Sequence, residues 1–306
     1  MEEEKRLEQE NPLVSVVIPC YNHAQFVQES IQSVIDQDYE NIELIIIDDG
    51  SKDNSVEVIQ EMVPACEVRF VRFEFRYRPN KGLCATLNEA LEWCKGEYFS
   101  PLASDDIALP HKTSFLLKKH QQCNAAVVFG SAKKFNNEKE GKDLLLNCEH
   151  TLKDLMFIKN IPAAPASLMR TDAIRNVAGF QEDVALEDLY MWLKLTSNKE
   201  KLYSFPEIVV KYRDHENNTI KKFRFMHEQR VRVIDLFNDN SFYAEAKIKT
   251  IVLGAKAIAN EEVKEPLKMI LKYRIYSLDG FEIFLKAFTP SFIIKLTKRF
   301  FSNYNF

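Results

Sequence analysis

Two adjacent carboxylates, Asp105 and Asp106, follow a short apolar segment that has the composition of a β-strand. A carboxylate pair at the end of a strand suits a hard divalent cation, because such cations prefer oxygen ligands and also bind phosphate oxygens. The simpler alternative is a solvated loop or a helix cap before Pro110, and the pair taken alone favours that alternative. The metal interpretation therefore depends on what the rest of the chain places nearby.

Three further polar groups could take part in chemistry, and each also has an ordinary structural explanation. Asp48 and Asp49 end an apolar run, where a carboxylate can bind a ribose hydroxyl or a base N–H, or can simply form a turn. Glu187 and Asp188 precede an apolar helical stripe, where a carboxylate can act as a general base or can complement the helix dipole. His215 is a lone histidine that can bind a metal ion or serve a structural role.

Composition excludes several other classes of function. Hydrophobic residues make up 46% of the 306 residues, enough for a full core, and a formal net charge of -4 argues against a nucleic-acid partner. The eight glycines are too far apart for a dinucleotide fingerprint or a P-loop, and the six cysteines show no CxxC spacing. No apolar run reaches the roughly 18 residues that span a bilayer, and the acidic N-terminus has no apolar signal segment, so we expect a cytoplasmic protein.

The apolar pattern alternates between strands and helices. It predicts helices over 24–36, capped by Asn22, over 81–94, and after Asp53 or Asn54, and it predicts strands over 13–19, 42–47, 68–75, 98–102 and 125–129. This alternation indicates an α/β fold with a mainly parallel central sheet flanked by helices. Because ligands of open α/β sheets bind beyond the carboxyl ends of the strands, we expect both acidic loops to line one crevice.

The pattern also predicts how the chain is divided. Residues 1–12 form a charged lead, residues 13–220 form one domain, and residues 221–306 form a helical C-terminal extension. A helix after Pro290 would carry phenylalanines on one side and basic residues on the other, which is typical of a helix that lies on an anionic membrane surface. The alternative is that these phenylalanines pack against the first domain or against a second subunit.

Six segments, in order along residues 13–220, resemble the inverting glycosyltransferases of family 2, which have the GT-A fold. Each motif alone is loose, and their shared order carries the resemblance. The matching residues are Val16–Asn22 with its P-x-Y-N turn, Ile47–Ser51 with Asp53 and Ser55, Asn80–Gly82 with Asn88 and Lys95–Tyr98, Ser104–Asp106, Ala178–Phe180 with Glu187–Asp188, and Tyr212–His215.

The resemblance implies transfer of a hexose or an N-acetylhexosamine from a UDP-sugar to a hydroxyl group of a saccharide acceptor, with inversion of the anomeric carbon. It implies Mn²⁺ or Mg²⁺ held by Asp105 and Asp106 with His215, a general base at Asp188, and Glu187 and Arg213 on the acceptor side. Residues 13–110 would form the nucleotide-sugar-binding half and residues 111–220 the acceptor half. The nucleotide would be bound by Pro19, Tyr21, Asn22, Asp48, Asp49, Lys81 and Asp105.

One position departs from the family pattern. Where the family often has L-D-x-D-D, this chain has Leu102 to Asp106 with Ala103 in place of the first acid. A degenerate sugar-binding or scaffold module is therefore one alternative to an enzyme. A sugar nucleotidyltransferase is another, although the turn from Pro19 to Asn22 is not the glycine-rich loop of that class.

The biological setting implied by the resemblance is the synthesis of a bacterial surface polysaccharide such as O-antigen or capsule. Acceptors in that setting can be lipid-linked, which agrees with a C-terminal helix on a membrane surface. The expectation is a cytoplasmic protein that binds peripherally to the inner face of the membrane, or one that forms a homodimer through the same segment.

Overall fold

The structure is a computed structural model of the 306-residue chain and describes residues 11–136, 139–216, 218–259 and 264–273. The chain divides into two compact units, one extending to His215 and the other beginning at Glu216. Every residue that the sequence predicts for the active site lies in the first unit.

The strands of the first unit form a single sheet. In chain order they are β1 (Val14–Cys20), β2 (Ile42–Asp48), β3 (Arg72–Tyr77), β4 (Tyr98–Pro101), β5 (Ile107–Ala108), β6 (Val127–Phe135), β7 (Glu140–Leu144), β8 (Cys148–Glu149), β9 (Ser167–Arg170) and β10 (Leu202–Arg213). Their spatial order is β3–β2–β1–β4–β9–β6–β10–β5, with β7 beside β6 and β8 beside β10. Strands β3, β2, β1 and β4 are mutually parallel, as are β6 and β10, whereas β9 is antiparallel to both of its neighbours.

Helices connect these strands, and the described part of the second unit contains helices and no strand. The first unit contains α1 (Val27–Ile35), α2 (Ser55–Arg69), α3 (Leu83–Trp93), α4 (Lys112–Gln122), α5 (Leu152–Met156), α6 (Thr171–Asn176) and α7 (Glu187–Ser197). The second unit contains α8 (Phe223–Asp235), α9 (Tyr243–Ile258) and α10 (Lys264–Lys272). The predicted α/β fold with a mainly parallel sheet and a helical C-terminal extension is confirmed.

Strand β2 is the most buried part of the sheet, since every one of its residues is buried. Its sequence is a continuous β-branched and apolar run, as expected for a parallel strand covered on both faces. Glu43 is an acid within this run, and it is satisfied by hydrogen bonds from Ser15 and from the main-chain N–H groups of Lys95 and Gly96, together with an ion pair to Arg72. The buried carboxylate thus links three neighbouring elements without an unsatisfied oxygen.

The strand predicted over residues 68–75 is wrong in its first half. Helix α2 continues to Arg69, and β3 begins only at Arg72. The Arg69 side chain donates to the main-chain carbonyls of Ile35, Gln37 and Tyr39, which anchors the end of α2 to the loop after α1. A local apolar pattern carries no information about such a long-range anchor, and so the helix end was missed.

The prediction that Asn22 caps the first helix is also wrong. Helix α1 begins at Val27, and Asn22 lies outside it with a left-handed φ of 55°. Its side-chain oxygen accepts from Lys52 N–H, and its own N–H donates to the Ser51 hydroxyl. Asparagine tolerates this conformation better than most residues, so here it serves a loop-to-loop contact instead of a cap.

In the described part of the second unit, three helices follow one another between Phe223 and Lys272. Helices α8 and α9 approach closely at Gly254, where an added Cβ atom would clash with the ring of His227. Among the residues that the structure describes, no helix is both long enough and apolar enough to cross a membrane. The amphipathic helix predicted after Pro290 lies outside the described residues.

Candidate functional site

The site lies at the carboxyl ends of the parallel strands, where β1 is flanked by β2 and β4. Asp48 is the last residue of β2 and is buried. Its two carboxylate oxygens accept hydrogen bonds from the N–H and the hydroxyl group of Ser51, at 2.8 Å and 2.6 Å. Asp48 therefore shapes the turn that begins at the end of β2, and each oxygen keeps a further lone pair.

Asp49 organises the loop that leads into α3. Its carboxylate forms an ion pair with Arg78 and accepts from the N–H groups of Lys81 and Gly82 at 2.8 Å and 2.9 Å. Its main-chain carbonyl accepts from the side chain of Asn80. This predicted nucleotide-binding acid thus holds the loop that carries Lys81, whose side chain is exposed.

The turn after β1 is joined to the loop after β2 by main-chain donors. The N–H of His23 donates to the Ser55 hydroxyl at 3.1 Å, and the N–H of Ala24 donates to the Asp53 carboxylate at 3.1 Å. Beside these contacts, Pro19 is partly buried and Tyr21 is 44% exposed. The predicted nucleotide-binding residues of β1 and β2 therefore belong to one connected surface.

A carboxylate and two imidazoles come together on the other side of β1. Nε2 of His215 lies 2.9 Å from Oδ2 of Asp105, and the rings of His215 and His23 have centroids 6.0 Å apart and are perpendicular. One ligand atom from each of the three residues lies within 4.8 Å of the other two. Nitrogen and carboxylate oxygen are donors that suit Mn²⁺ and other first-row divalent ions, so this set fits the cation implied by the resemblance.

His23 was not identified from the sequence. The signal available was its place directly after the turn at the end of β1, but a lone histidine at that place has no characteristic metal-ligand spacing. Its Nδ1 lies 2.8 Å from the Ser104 hydroxyl, and burial lowers the pKa of its imidazole below the usual range. The ring is therefore neutral at neutral pH, which is the form that binds metal ions.

Asp106, also predicted as a metal ligand, lies outside this group of three. It is buried, and burial together with the neighbouring Asp105 charge raises the pKa of its carboxyl above the usual range. Its Oδ1 accepts from the main-chain N–H of Arg213 at 2.9 Å, whereas Oδ2 is buried and has no hydrogen-bond partner among the described residues. Burial also lowers the pKa of the nearby Lys112 to about 7. The two adjacent acids therefore have different surroundings.

Arg213 was predicted on the acceptor side. In the structure its side chain is buried next to the acidic loop, the loop after β4 that contains Asp105 and Asp106. Its Nε donates to the main-chain carbonyl of Asp105 at 2.8 Å, and Nη2 pairs with Glu29 of α1 at 2.8 Å. The guanidinium also lies 4.7 Å from the ring centroid of Phe26 and 4.5 Å from that of Phe135. Contacts with two aromatic rings together with these hydrogen bonds favour arginine over lysine.

The predicted acceptor segment is held against α3. Asn88 of α3 donates to the carbonyl of Phe180 and accepts from its N–H, both at 2.8 Å. The thiol of Cys84, in the first turn of α3, donates to the carbonyl of Val184 at 3.2 Å. Since α3 begins where the loop organised by Asp49 ends, these contacts bring the acceptor segment toward the nucleotide loops.

Glu187 and Asp188 begin α7 immediately after this segment. Burial and the negative charge of Asp188 raise the pKa of Glu187 to about 8. Oδ1 of Asp188 accepts from the N–H of Leu189 at 2.6 Å. At neutral pH the Glu187 side chain is thus mostly protonated, and it can donate a hydrogen bond beside a second carboxyl group.

Comparison with known proteins agrees with this geometry. The family described as Glycosyl transferase family 2 matches residues 15–177. An uncharacterized glycosyltransferase of Haemophilus influenzae is 28% identical over 292 residues, which cover 89% of this chain and 88% of the relative. Glycosyltransferases of Rickettsia and Streptococcus pneumoniae match over shorter stretches, and this chain spans less than half of their length.

Solved structures are similar in fold at low identity. Staphylococcus aureus TarS 1-349 in complex with UDP-GlcNAc superposes with a TM-score of 0.58 at 15% identity, covering 89% of each chain. The mannosyltransferase PcManGT from Pyrobaculum calidifontis, in complex with GDP-Man and Mn²⁺, gives 0.61 at 14% identity, covering 90% of this chain and 86% of the other. Since the family match spans more than half of the chain, this protein belongs to glycosyl transferase family 2 and is a glycosyltransferase with the GT-A fold.

Proposed function

We propose that this glycosyltransferase moves a hexose or an N-acetylhexosamine from a UDP-sugar to a hydroxyl group of a saccharide acceptor, in a metal-dependent reaction that inverts the anomeric carbon. The observation that carries the proposal is the pairing of His215 with Asp105 at the end of β4, beside the loops that follow β1 and β2. A cation site beside a nucleoside site suits a nucleoside diphosphate donor, because the cation would stabilise the diphosphate charge.

The nucleoside part of the donor is assigned to the surface formed by the β1 and β2 loops. Asp48 would accept from a base N–H or a ribose hydroxyl through its remaining lone pairs, and the exposed ring of Tyr21 offers a stacking surface. Asp49 would act by holding the loop that presents Lys81 to the donor phosphates. The UDP-GlcNAc bound by the TarS neighbour supports a UDP-sugar donor. The GDP-Man bound by PcManGT makes a GDP-sugar the main alternative.

Asp105 and His215 would hold Mn²⁺ or Mg²⁺, and the Mn²⁺ bound by PcManGT supports that assignment. When bound, the cation would neutralise the negative charge that develops on the departing diphosphate. Asp106 and Arg213 would act through other residues, because both are buried and are bonded to each other, and Arg213 also donates to the carbonyl of Asp105. This division of work gives each of the two adjacent acids a separate role.

Asp188 is assigned as the general base. It would take the proton of the acceptor hydroxyl while the acceptor oxygen bonds to the anomeric carbon and the bond from that carbon to the phosphate oxygen breaks. Attack from the face opposite the leaving diphosphate inverts the configuration. Protonated Glu187 beside it would donate a hydrogen bond to an acceptor oxygen and so orient the nucleophile.

We place the acceptor in bacterial surface polysaccharide synthesis, such as that of O-antigen or capsule, and the bacterial relatives support this setting. The same proposal includes a lipid-linked acceptor at the cytoplasmic face of the membrane. It also includes peripheral membrane binding, or formation of a homodimer, through the segment after Pro290. Sedimentation of the full chain with anionic vesicles, compared with a truncation at residue 289, tests the membrane part.

The decisive experiment is a donor screen with the full chain. Each of UDP-glucose, UDP-galactose, UDP-GlcNAc and GDP-mannose is incubated with Mn²⁺ and simple saccharide acceptors, and nucleotide release and the anomeric configuration of the product are measured. We expect UDP release and a product inverted at the donor carbon, both abolished by EDTA. Release of pyrophosphate would instead indicate a nucleotidyltransferase, and turnover unchanged in EDTA would overturn the metal dependence.

A further inference from the structure

We infer that His23 is a third protein ligand of the divalent cation, and that it joins the cation site to the nucleoside loop. The inference rests on the metal dependence proposed above, and it adds a residue that none of the sequence motifs contains. It is drawn from the position of the imidazole, from its hydrogen bond and from the way its main chain is anchored.

The position of the ring is the first argument. A ligand atom of His23 lies within 4.8 Å of ligand atoms of both Asp105 and His215, although the three residues come from three different loops. Small side-chain movements would allow one ion to contact all three. Two imidazoles and one carboxylate are a common ligand set for first-row divalent metals, and they leave coordination positions open for phosphate oxygens.

The hydrogen bond of the ring is the second argument. Nδ1 of His23 is 2.8 Å from the hydroxyl of Ser104, the residue immediately before Asp105. Metal-binding histidines usually use their second nitrogen in a hydrogen bond that orients the ring, and here that bond leaves Nε2 for the ion. The contact with Phe26, whose ring centroid is 5.9 Å away, further restricts the orientation of the imidazole.

The anchoring of the main chain is the third argument and gives the consequence. The N–H groups of residues 22, 23 and 24 donate to the side chains of Ser51, Ser55 and Asp53. The ring that faces the cation site therefore belongs to a turn bonded to the loop after β2. A cation that binds His23 would hold this turn close to Asp105. Because the turn is bonded to the loop after β2, which is proposed to bind the nucleoside, the cation would restrict the movement of that loop as well.

The test measures Mn²⁺ binding to the full chain without nucleotide, by electron paramagnetic resonance of the free ion. We expect His23→Ala and His215→Ala each to weaken Mn²⁺ binding about 10- to 100-fold. The matched control is His111→Ala, because His111 is a partly exposed histidine that pairs with Glu207 and is not a member of the group of three. Thermal unfolding of each variant without metal shows whether the fold is retained.

A second variant distinguishes a ligand from a merely structural residue. His23→Cys would replace a nitrogen donor by a thiolate, which prefers softer ions, so the ratio of Cd²⁺ to Mn²⁺ affinity should rise at least about tenfold. If His23→Ala binds Mn²⁺ like the natural chain and His23→Cys leaves the ratio unchanged, the inference is overturned, while EDTA-sensitive turnover would leave the proposed function standing. If the natural chain neither binds Mn²⁺ nor loses activity in EDTA, the proposed metal dependence itself fails.

Discussion

The main-chain N–H of Arg213 donates a 2.9 Å hydrogen bond to Oδ1 of Asp106, although the two residues are 107 positions apart. The Arg213 side chain also donates to the carbonyl of Asp105, so the end of β10 is joined twice to the acidic loop. His215 follows two residues later and lies 2.9 Å from Asp105. These two hydrogen bonds hold the end of β10, and with it His215, at the predicted cation site.

Arg213→Lys should lower stability and weaken Mn²⁺ binding together. Lysine cannot reach both Glu29 and the carbonyl of Asp105 with one planar group, and losing a hydrogen bond of a charged group costs about 1.5–3 kcal/mol. Urea unfolding and Mn²⁺ titration measure the two effects. Arg170→Lys, at a partly exposed ion pair, is the control and should change stability by about 1 kcal/mol or less. Unchanged Mn²⁺ affinity in Arg213→Lys would show that the side-chain contacts of Arg213 do not position His215.

Asp105→Asn and Asp106→Asn should separate the roles of the two adjacent acids. Asp105→Asn removes the charged oxygen that faces His215, so we expect Mn²⁺ affinity to fall at least about 100-fold. Asp106→Asn keeps the oxygen that accepts from Arg213, so we expect a smaller fall, of about tenfold. Isothermal titration of both variants provides the measurement. The reverse order of effects would make Asp106 the principal ligand.

Asp188→Asn should reduce kcat and leave donor binding nearly intact. Removing a general base costs about 10²- to 10⁴-fold in rate, whereas the donor contacts lie on other loops. Steady-state kinetics with saturating acceptor gives kcat and the donor KM separately. Asp172→Asn, which changes an exposed acid paired with Arg170, is the matched control and should leave both constants unchanged. A raised donor KM with a normal kcat would make Asp188 a binding residue.

Glu187 should make stability depend on pH. Its pKa is raised from 4.5 to about 8 in the folded chain, so the folded state holds this proton more tightly than the unfolded state does. The folded state therefore loses stability as pH rises from about 4.5 to about 8, and the contribution is fully favourable only below that window. Glu187→Gln lacks the titrating group, so its melting temperature relative to the natural chain should rise between pH 5 and pH 8.5. A constant difference over this range would show that Glu187 titrates normally.

Gly179→Ala should displace the acceptor segment, whereas Gly82→Ala should not. Both glycines have a positive φ, at +73° and +93°, so both variants incur a backbone strain of about 1–3 kcal/mol. A Cβ on Gly179 would also lie 2.6 Å from the side-chain oxygen of Asn88, which accepts from Phe180, but nothing lies within 4 Å of a Cβ on Gly82. We expect a further loss of about 1–3 kcal/mol and lower acceptor turnover only in Gly179→Ala. Equal losses in both variants would mean that Asn88 moves freely.

The sequence by itself determined the fold class and the edge of the sheet at which the site lies. The run over residues 42–47 is apolar except for Glu43, and its short length and β-branched residues favour a strand buried on both sides, whose end meets the polar loop that follows. The order of the family motifs along the chain then indicated that the acids after β2, after β4 and at the start of α7 belong to the site. These features are local in the chain, and local pattern is what a sequence displays directly.

The tertiary structure alone decided which of these residues meet. Asp105 and Asp106 are neighbours in the chain, yet one faces His215 and the other lies buried against Arg213, a difference set by the approach of β10 from 107 positions away. His23 joins the site only because the turn after β1 is bonded to one loop while its ring reaches another. Contacts between residues so distant in the chain depend on how helices and strands pack around the sheet, and no spacing within one segment encodes them.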